Sequence, residues 1–314
     1  MISGCQSSDD SAEQVKLERF DLAMAAYSGS DEDVRSQVRM QYDQALKMIM
    51  AMRGDDMSDD AFVQYSDSKA VKVFTHDVDS VYSDVSDIEE VMSKILSNAK
   101  DLLPAIPHRR YFAIVSPYNT SIFADDSTML IALNHYLGAD YPGYAGFDNY
   151  LRQNKTREKL PYDIAEALVA LAYPYQPDEN ETLLNRMLYE GALLEAIMRL
   201  VPEAQESLAM GYTPEQLEWL RVNSKQAWQA VVGRQLLYST SSSDIDRMVN
   251  PAPKTMLLHQ ESPGRAGRFI GYCITKSYLS RHKDATLEHL LSPDYYNSRS
   301  TLVESEYSGE SDFK

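Results

Sequence analysis

Through most of the chain apolar residues recur at three- and four-residue steps, the spacing that gathers them on one face of an α-helix. Leu17, Phe20, Met24 and Tyr27 predict an amphipathic helix over residues 13–27. Val34, Val38, Tyr42, Ala45, Ile49 and Met52 form the stripe of a second helix, opened by Ser30 and Asp33 as a capping box and closed by Gly54. Residues 55–83 read as acidic and turn-rich, with a short extended segment at 70–75. A third helix is expected from about 87 to 103: Ser86 and Glu89 suit its capping box, Ile88, Val91, Ile95, Ala99 and Leu102 its buried face, and Pro104 stops it.

Mid-chain the period changes. Residues 111–115 and 128–133 are compact apolar runs of strand length, and Asp125 and Asp126, between Ile122-Phe123 and the second run, mark a hairpin turn. Residues 141–147 form an aromatic, glycine-containing loop that reads equally as a cleft wall or as an ordinary packed loop. Helices are expected again near 162–173, 181–200, 214–223, 224–238, 264–280 and 285–292. The predicted fold is therefore mainly α with a small mid-chain β-sheet, an α+β arrangement. Residues 1–12 read as a tether and 13–296 as a single globular domain, with helical parts at 13–104 and 161–293 around a sheet at 110–135. The polar tail, 297–314, is expected to be poorly ordered unless docked.

Composition narrows the partners. With 314 residues, 44% of them hydrophobic, the chain can bury one large core or two modest ones. No run approaches the ~18 apolar residues of a spanning helix, so membrane association would need an anchor. A formal net charge of -17, with no basic stripe, argues against nucleic acid as a partner.

Cys5 and Cys273 are the two cysteines, too few for a disulfide framework. The segment Ile2-Ser3-Gly4-Cys5 is what a lipoprotein signal peptidase reads, so the Cys5 thiol is expected to carry diacylglycerol, with most of the signal peptide missing from this chain. Gln6 to Asp10 would then tether the body to a bilayer surface, where two or three acyl chains give stable anchoring. Cys273, in an apolar helical context, reads as an inert core thiol.

Catalytic constellations are sparse. The histidines, at 76, 108, 135, 259, 282 and 289, contain no i, i+4 pair, so the His-Glu-x-x-His zinc motif is absent, as is any Gly-x-Ser-x-Gly elbow. No metal and no cofactor is expected, and the methionines between 48 and 52 read as core filler. What remains is Asp163 and Glu166 on one helix face, Glu190 on the next long helix, and Arg265 in Glu261-Ser262-Pro263-Gly264-Arg265-Ala266-Gly267. Ser262 and Pro263 suit a helix start, while Gly264 and Gly267 permit close backbone approach. A cation in the first turn opposes the helix dipole, so Arg265 is expected to pair with Glu190 or another acid, with anion binding as the alternative.

Five ordered segments carry a resemblance: 131–138 (Ile-Ala-Leu-Asn-His-Tyr-Leu-Gly), 187–191 (Met-Leu-Tyr-Glu-Gly), 211–219 with Trp228 and 236–239 following, 250–253 (Asn-Pro-Ala-Pro), and 262–271 (Ser-Pro-Gly-Arg-Ala-Gly-Arg-Phe-Ile-Gly). In this order they resemble the gliding-motility-associated lipoprotein B (GldB) family over about residues 111–280, with Asn134 where that family usually has aspartate. The resemblance implies a lipoprotein of the Bacteroidota cell envelope, at the outer membrane and facing either periplasm or exterior, associated with gliding machinery and type IX secretion. It also implies a distant likeness to gluzincin-type zinc peptidases, hence a zincin-like, degenerate peptidase architecture. The helix that would carry the zinc motif reads Tyr162-Asp163-Ile164-Ala165-Glu166, and Glu190-Gly191 stands where a third ligand would be. The expectation is a non-catalytic protein that binds another envelope component, with Asn134, Asp163, Glu166, Glu190, Gly191, Ser262, Gly264, Arg265, Gly267 and Gly271 as candidate cleft or structural-motif residues. Two alternatives stand beside it: an envelope hydrolase using the three carboxylates with Arg265 as an anion clamp, and a glycan- or peptide-binding module using the 141–147 loop.

Overall fold

A computed structural model describes residues 14–310; Cys5 and the expected tether lie outside the described residues. The chain enters not as a helix but as a short strand, β1 (Leu17–Glu18), followed by α1 (Phe20–Tyr27). The reason is long-range. The Leu17 and Val15 amides donate to Glu89 Oε1 (2.8 Å) and Ser93 Oγ (2.9 Å), groups on a helix some seventy residues later. The expected second helix is two, α2 (Glu32–Gln41) and α3 (Asp43–Arg53), broken at Tyr42, whose ring packs on Phe20 and Phe112. Its cap is Asp31, which accepts from the Val34 amide, rather than Ser30.

The acidic stretch after Gly54 is also helical: α4 (Asp59–Ser66) and α5 (Lys69–Val81), capped by Ser58 and Ser68. The segment at 70–75, read as extended from its β-branched residues, lies inside α5, where Val71, Thr75 and Val78 form the buried face. In α6 (Ser86–Leu102) the expected capping box is absent, because Glu89 serves β1 and the N-cap is Val85.

Strands β2 (Arg110–Ile114), β3 (Ile122–Ala124) and β4 (Thr128–Ala132) fall where the apolar runs placed them. Among the described residues four strands make one mixed sheet in the order β1-β2-β4-β3, parallel from β1 through β4 and antiparallel between β4 and β3. Asp125 Oδ1 accepts from the Ser127 and Thr128 amides and so fixes the β3-β4 turn. β4 is buried along its whole length, as a continuous apolar run requires.

After a short α7 (Asn149–Arg152), α8 (Leu160–Ala172) and α9 (Leu183–Leu200) follow, then α10 (Glu206–Met210), α11 (Pro214–Val222), α12 (Ser224–Gly233) and α13 (Ser242–Val249). α12 stops five residues short of the expected end at 238, and α13 was not anticipated. α9 opens on a capping box between Thr182 and Asn185 and is buried on nearly every side, the position of a central helix. α14 (Ala266–Arg281) crosses it so closely that a Cβ added at Gly271 would stand 1.8 Å from the Met187 carbonyl oxygen. At Gly191 it would stand 2.2 Å from the Gly271 carbonyl oxygen. Both glycines are therefore contact surfaces rather than hinges.

The chain closes with α15 (Leu287–Leu290), α16 (Pro293–Tyr296) and α17 (Ser300–Ser305). The tail is docked: Thr301 and Tyr307 are buried, Thr301 Oγ1 donates to the Tyr295 carbonyl (2.6 Å), and Ser277 Oγ on α14 donates to the Ser305 carbonyl (2.7 Å). Among the described residues no helix is long and apolar enough to cross a membrane. The protein is thus mainly helical with a small mixed sheet, an α+β fold.

Candidate functional site

A cleft of about 780 Å³ opens between the sheet edge, the loop preceding α8, and the turn that leads into α14. Phe147 of the aromatic loop forms part of its wall, while Tyr144 behind it is buried and donates from its hydroxyl to the Asn134 carbonyl (2.6 Å). The loop therefore serves both readings, as wall at one end and packing at the other. Tyr150, Leu151, Ile122, Ala167 and Ala170 add apolar surface.

α8 presents Asp163 and Glu166 to the cleft from one face, as their i, i+3 spacing requires. Asp163 is already engaged: Oδ2 accepts from the Tyr136 hydroxyl (2.9 Å) and Oδ1 lies 3.1 Å from Lys159 Nζ. Glu166 reaches back toward α14, where Arg268 Nη2 lies 2.9 Å from its Oε1. The same guanidinium places Nε 3.4 Å from Glu190 Oε2 on α9, and Arg186, one turn before Glu190, pairs with its other oxygen at 3.0 Å. The contacts of Arg268 are charge contacts without the alignment of hydrogen bonds, and the side chain is almost fully buried, 1% exposed. Burial pushes the Glu166 carboxyl up, yet the charges of Arg268, Arg265 and Lys159 outweigh it and lower it to about 2.

The expected partner of these acids, Arg265, is not in the pair. Helix α14 begins at Ala266, two residues later than predicted, and its first amide is capped from a distance by Thr255 Oγ1 (3.1 Å), not by Ser262. Ser262 is buried and its hydroxyl donates to the Pro263 carbonyl. Arg265 becomes the N-cap in the left-handed region, φ 60 and ψ 23, a conformation that suits Gly or Asn. Gly264 explains the turn, since a Cβ there would stand 1.7 Å from the Ala252 carbonyl oxygen. Gly267 packs similarly on Met248, at 2.9 Å from its carbonyl oxygen. The Arg265 side chain lines the cleft and donates from Nε to the Val249 carbonyl (3.1 Å); among the described residues it pairs with no carboxylate. Burial, and the neighbouring Arg268 charge, push its guanidinium below the usual value.

Lys155 is a second such cation. It lines the cleft, makes no ion pair among the described residues, and lies 5.2 Å over the Tyr144 ring and 5.0 Å over Phe147. Burial lowers its pKa. His135, also in the lining, contacts Ser121 Oγ through Nδ1 at 2.9 Å. Burial, and then the Lys155 charge, lower it to about 4, so the imidazole is neutral at neutral pH and a weak base for the serine.

Of the remaining residues named from sequence, Asn134 is buried and pairs both side-chain atoms with the backbone of Ser116, accepting from its amide and donating to its carbonyl, each at 2.9 Å. Its work is to hold the sheet end to the following loop. Cys273 is buried, and burial pushes its thiol well up. Among the described residues no three or more His, Cys, Asp and Glu side chains stand together as a metal site. Glu166 and Glu190, the nearest to such a role, face a guanidinium instead.

Sequence reasoning missed Arg268, Lys155 and His135. A signal for Arg268 was present: it stands between Ala266 and Phe269-Ile270, a charge amid an apolar run, which marks a buried and paired side chain. Lys155 lies in a loop without pattern and offered none.

Residues 5–309, nearly the whole chain, match the family model described as gliding motility protein GldB. No curated protein and no solved structure matches the chain.

Proposed function

The chain belongs to the gliding motility protein GldB family, and from that premise we propose that it is a lipid-anchored lipoprotein of the cell envelope that binds another envelope component in the Arg265 cleft without catalysing a reaction. Cys5 is the proposed acylation site, in the setting Ile2-Ser3-Gly4-Cys5. One observation carries the binding role: the Glu166 and Glu190 carboxylates pair with Arg268, while Arg265 and Lys155 face the cleft without an ion pair among the described residues. A carboxylate held at about 2 stays ionised and cannot protonate a leaving group, which counts against the hydrolase alternative. The expected likeness to gluzincin peptidases has no matching solved structure behind it. Its metal-binding imidazoles are missing from α8, and its acids are bound to arginine.

The test is fractionation and cross-linking in cells. The full chain should sediment with membranes, and Cys5→Ser should release it. A cross-linked envelope protein should be recovered with the parent and lost with Arg265→Asn. Recovery of Cys5→Ser in the membrane fraction, or stoichiometric zinc in the purified protein, would contradict the proposal.

A further inference from the structure

Resting on the binding role proposed above, we infer that the cleft recognises the carboxylate of a peptide, with Arg265 as the fork that receives it and Lys155 as the second cation. A guanidinium offers five donors in a plane matched to a carboxylate, and Arg265 commits Nε to the Val249 carbonyl. The fold does not ask for arginine here. Its backbone needs a residue at ease with φ 60, and its side chain joins no helix to another through an ion pair among the described residues. Glu203, Gln235 and Glu306 share this backbone conformation, and what distinguishes Arg265 among them is a guanidinium that lines the cleft.

Charge selects the class of ligand. Lys159 pairs with Asp163 and Arg268 with Glu166, and His135 is neutral, so Lys155 and Arg265 are the cations that the lining offers to an anion. The planar fork of Arg265 matches a carboxylate, and inorganic phosphate is the competing anion to be tested. Shape selects the rest. Ile122, Leu151, Ala167 and Ala170 suit an apolar side chain next to a carboxylate, and glucuronate tests whether the polar part of the lining prefers hydroxyls. Gln153 and Asn154 donate from their amide nitrogens to the Gly211 carbonyl, which leaves their oxygens to accept peptide N–H groups. The carboxylate has two sources, a chain terminus or an Asp or Glu side chain, and the cleft chemistry is common to both.

Calorimetric titration of the full chain distinguishes them. The probes are acetyl-Ala-Leu-Phe as free acid, the same peptide as amide, acetyl-Ala-Asp-Phe-amide, inorganic phosphate and glucuronate. The free acid or the aspartyl peptide should bind, the neutral amide should bind about tenfold more weakly or not at all, and whichever acid binds names the source. Arg265→Asn, which tolerates the backbone, should weaken binding by about tenfold or more, and Arg265→Lys, which keeps charge without the fork, by less. Equal binding of acid and amide, preference for phosphate or glucuronate, or an unchanged affinity in Arg265→Asn would overturn the inference. Envelope cross-linking separates the two claims. A partner captured equally by parent and Arg265→Asn overturns the carboxylate site and moves the proposed binding away from Arg265, with the anchored lipoprotein still standing; carboxylate binding with no envelope partner leaves the site and removes the proposed role.

Discussion

The layer beneath the cleft and the cleft itself use the same kinds of side chain to opposite ends. Beneath, Arg268 sits almost fully buried with Glu166 at 2.9 Å and Glu190 at 3.4 Å, and Arg186 completes the cluster. Above, Arg265 and Lys155 face the cleft and make no ion pair among the described residues, although Asp163 and Glu166 share that lining. The two arginines are three positions apart in one motif. A buried cation that lost its acids would be costly, so the lower layer reads as structure. Cations left open to a ligand contribute nothing comparable to folding, and the upper layer reads as a receptor. Retention of two roles in one short segment explains why the motif is dense in glycine: Gly264, Gly267 and Gly271 bring backbones to within contact of Ala252, Met248 and Met187 and so fix both guanidinium groups.

The comparison can be broken first at its lower layer. Arg268→Met leaves Glu166 without its ion pair and Glu190 with Arg186, and should cost about 3–5 kcal/mol in chemical denaturation. A loss below 1 kcal/mol, measured by urea titration, would show that the cluster does not hold the helices. Next in size is the helix crossing. Gly271→Ala drives a methyl group toward the Met187 carbonyl and should cost about 1–3 kcal/mol or more, read in the same titration, with no effect on the charge cluster itself.

A smaller effect follows from pH. The Glu166 carboxyl is lowered to about 2 from an ordinary 4.5, so its contribution to stability is complete above that ordinary value and is lost as pH falls through about 2. Comparison of thermal midpoints for the parent and Glu166→Gln should show the parent ahead near neutral pH and the gap closing in acid. A gap that widens on acidification would reverse the assigned sign. With 28% of its side chain open to the cleft, the carboxylate is partly screened, which keeps this term below that of Arg268.

Much of this was legible in the chain, and the failures have particular causes. Strands β2 and β4 and the Asp125 turn were readable because each is a local signal, an apolar run or an aspartate ahead of the backbone amides that donate to it. The long helices α6, α9 and α14 were readable from their length and apolar period, give or take a turn. β1 was not, because Leu17 becomes a strand only by pairing with Tyr111, and nothing near it in sequence says so. In α5 the β-branched Val71, Val73 and Thr75 suggested a strand, and packing of the Val71-Thr75-Val78 face decided otherwise. Asp163 and Glu166 were placed on one face correctly by helical spacing. The assignment of the ion pair to Arg265 failed through a two-residue error at the start of α14. In a helix from 264 both arginines would share a face, but Arg265 is the left-handed N-cap outside the helix, so its side chain turns to the cleft and Arg268 meets α8 and α9.

The most direct test of the division between the two arginines is the thermal and urea stability of Arg265→Asn in the full chain. The substitution forfeits one hydrogen bond to the Val249 carbonyl and one of the charges that keep Glu166 ionised, and it relieves a left-handed backbone, so stability should stay within about 1–2 kcal/mol of the parent. A loss of about 3 kcal/mol or more, comparable to that of Arg268→Met, would mean that Arg265 holds the fold together and that the cleft has no cation reserved for a ligand.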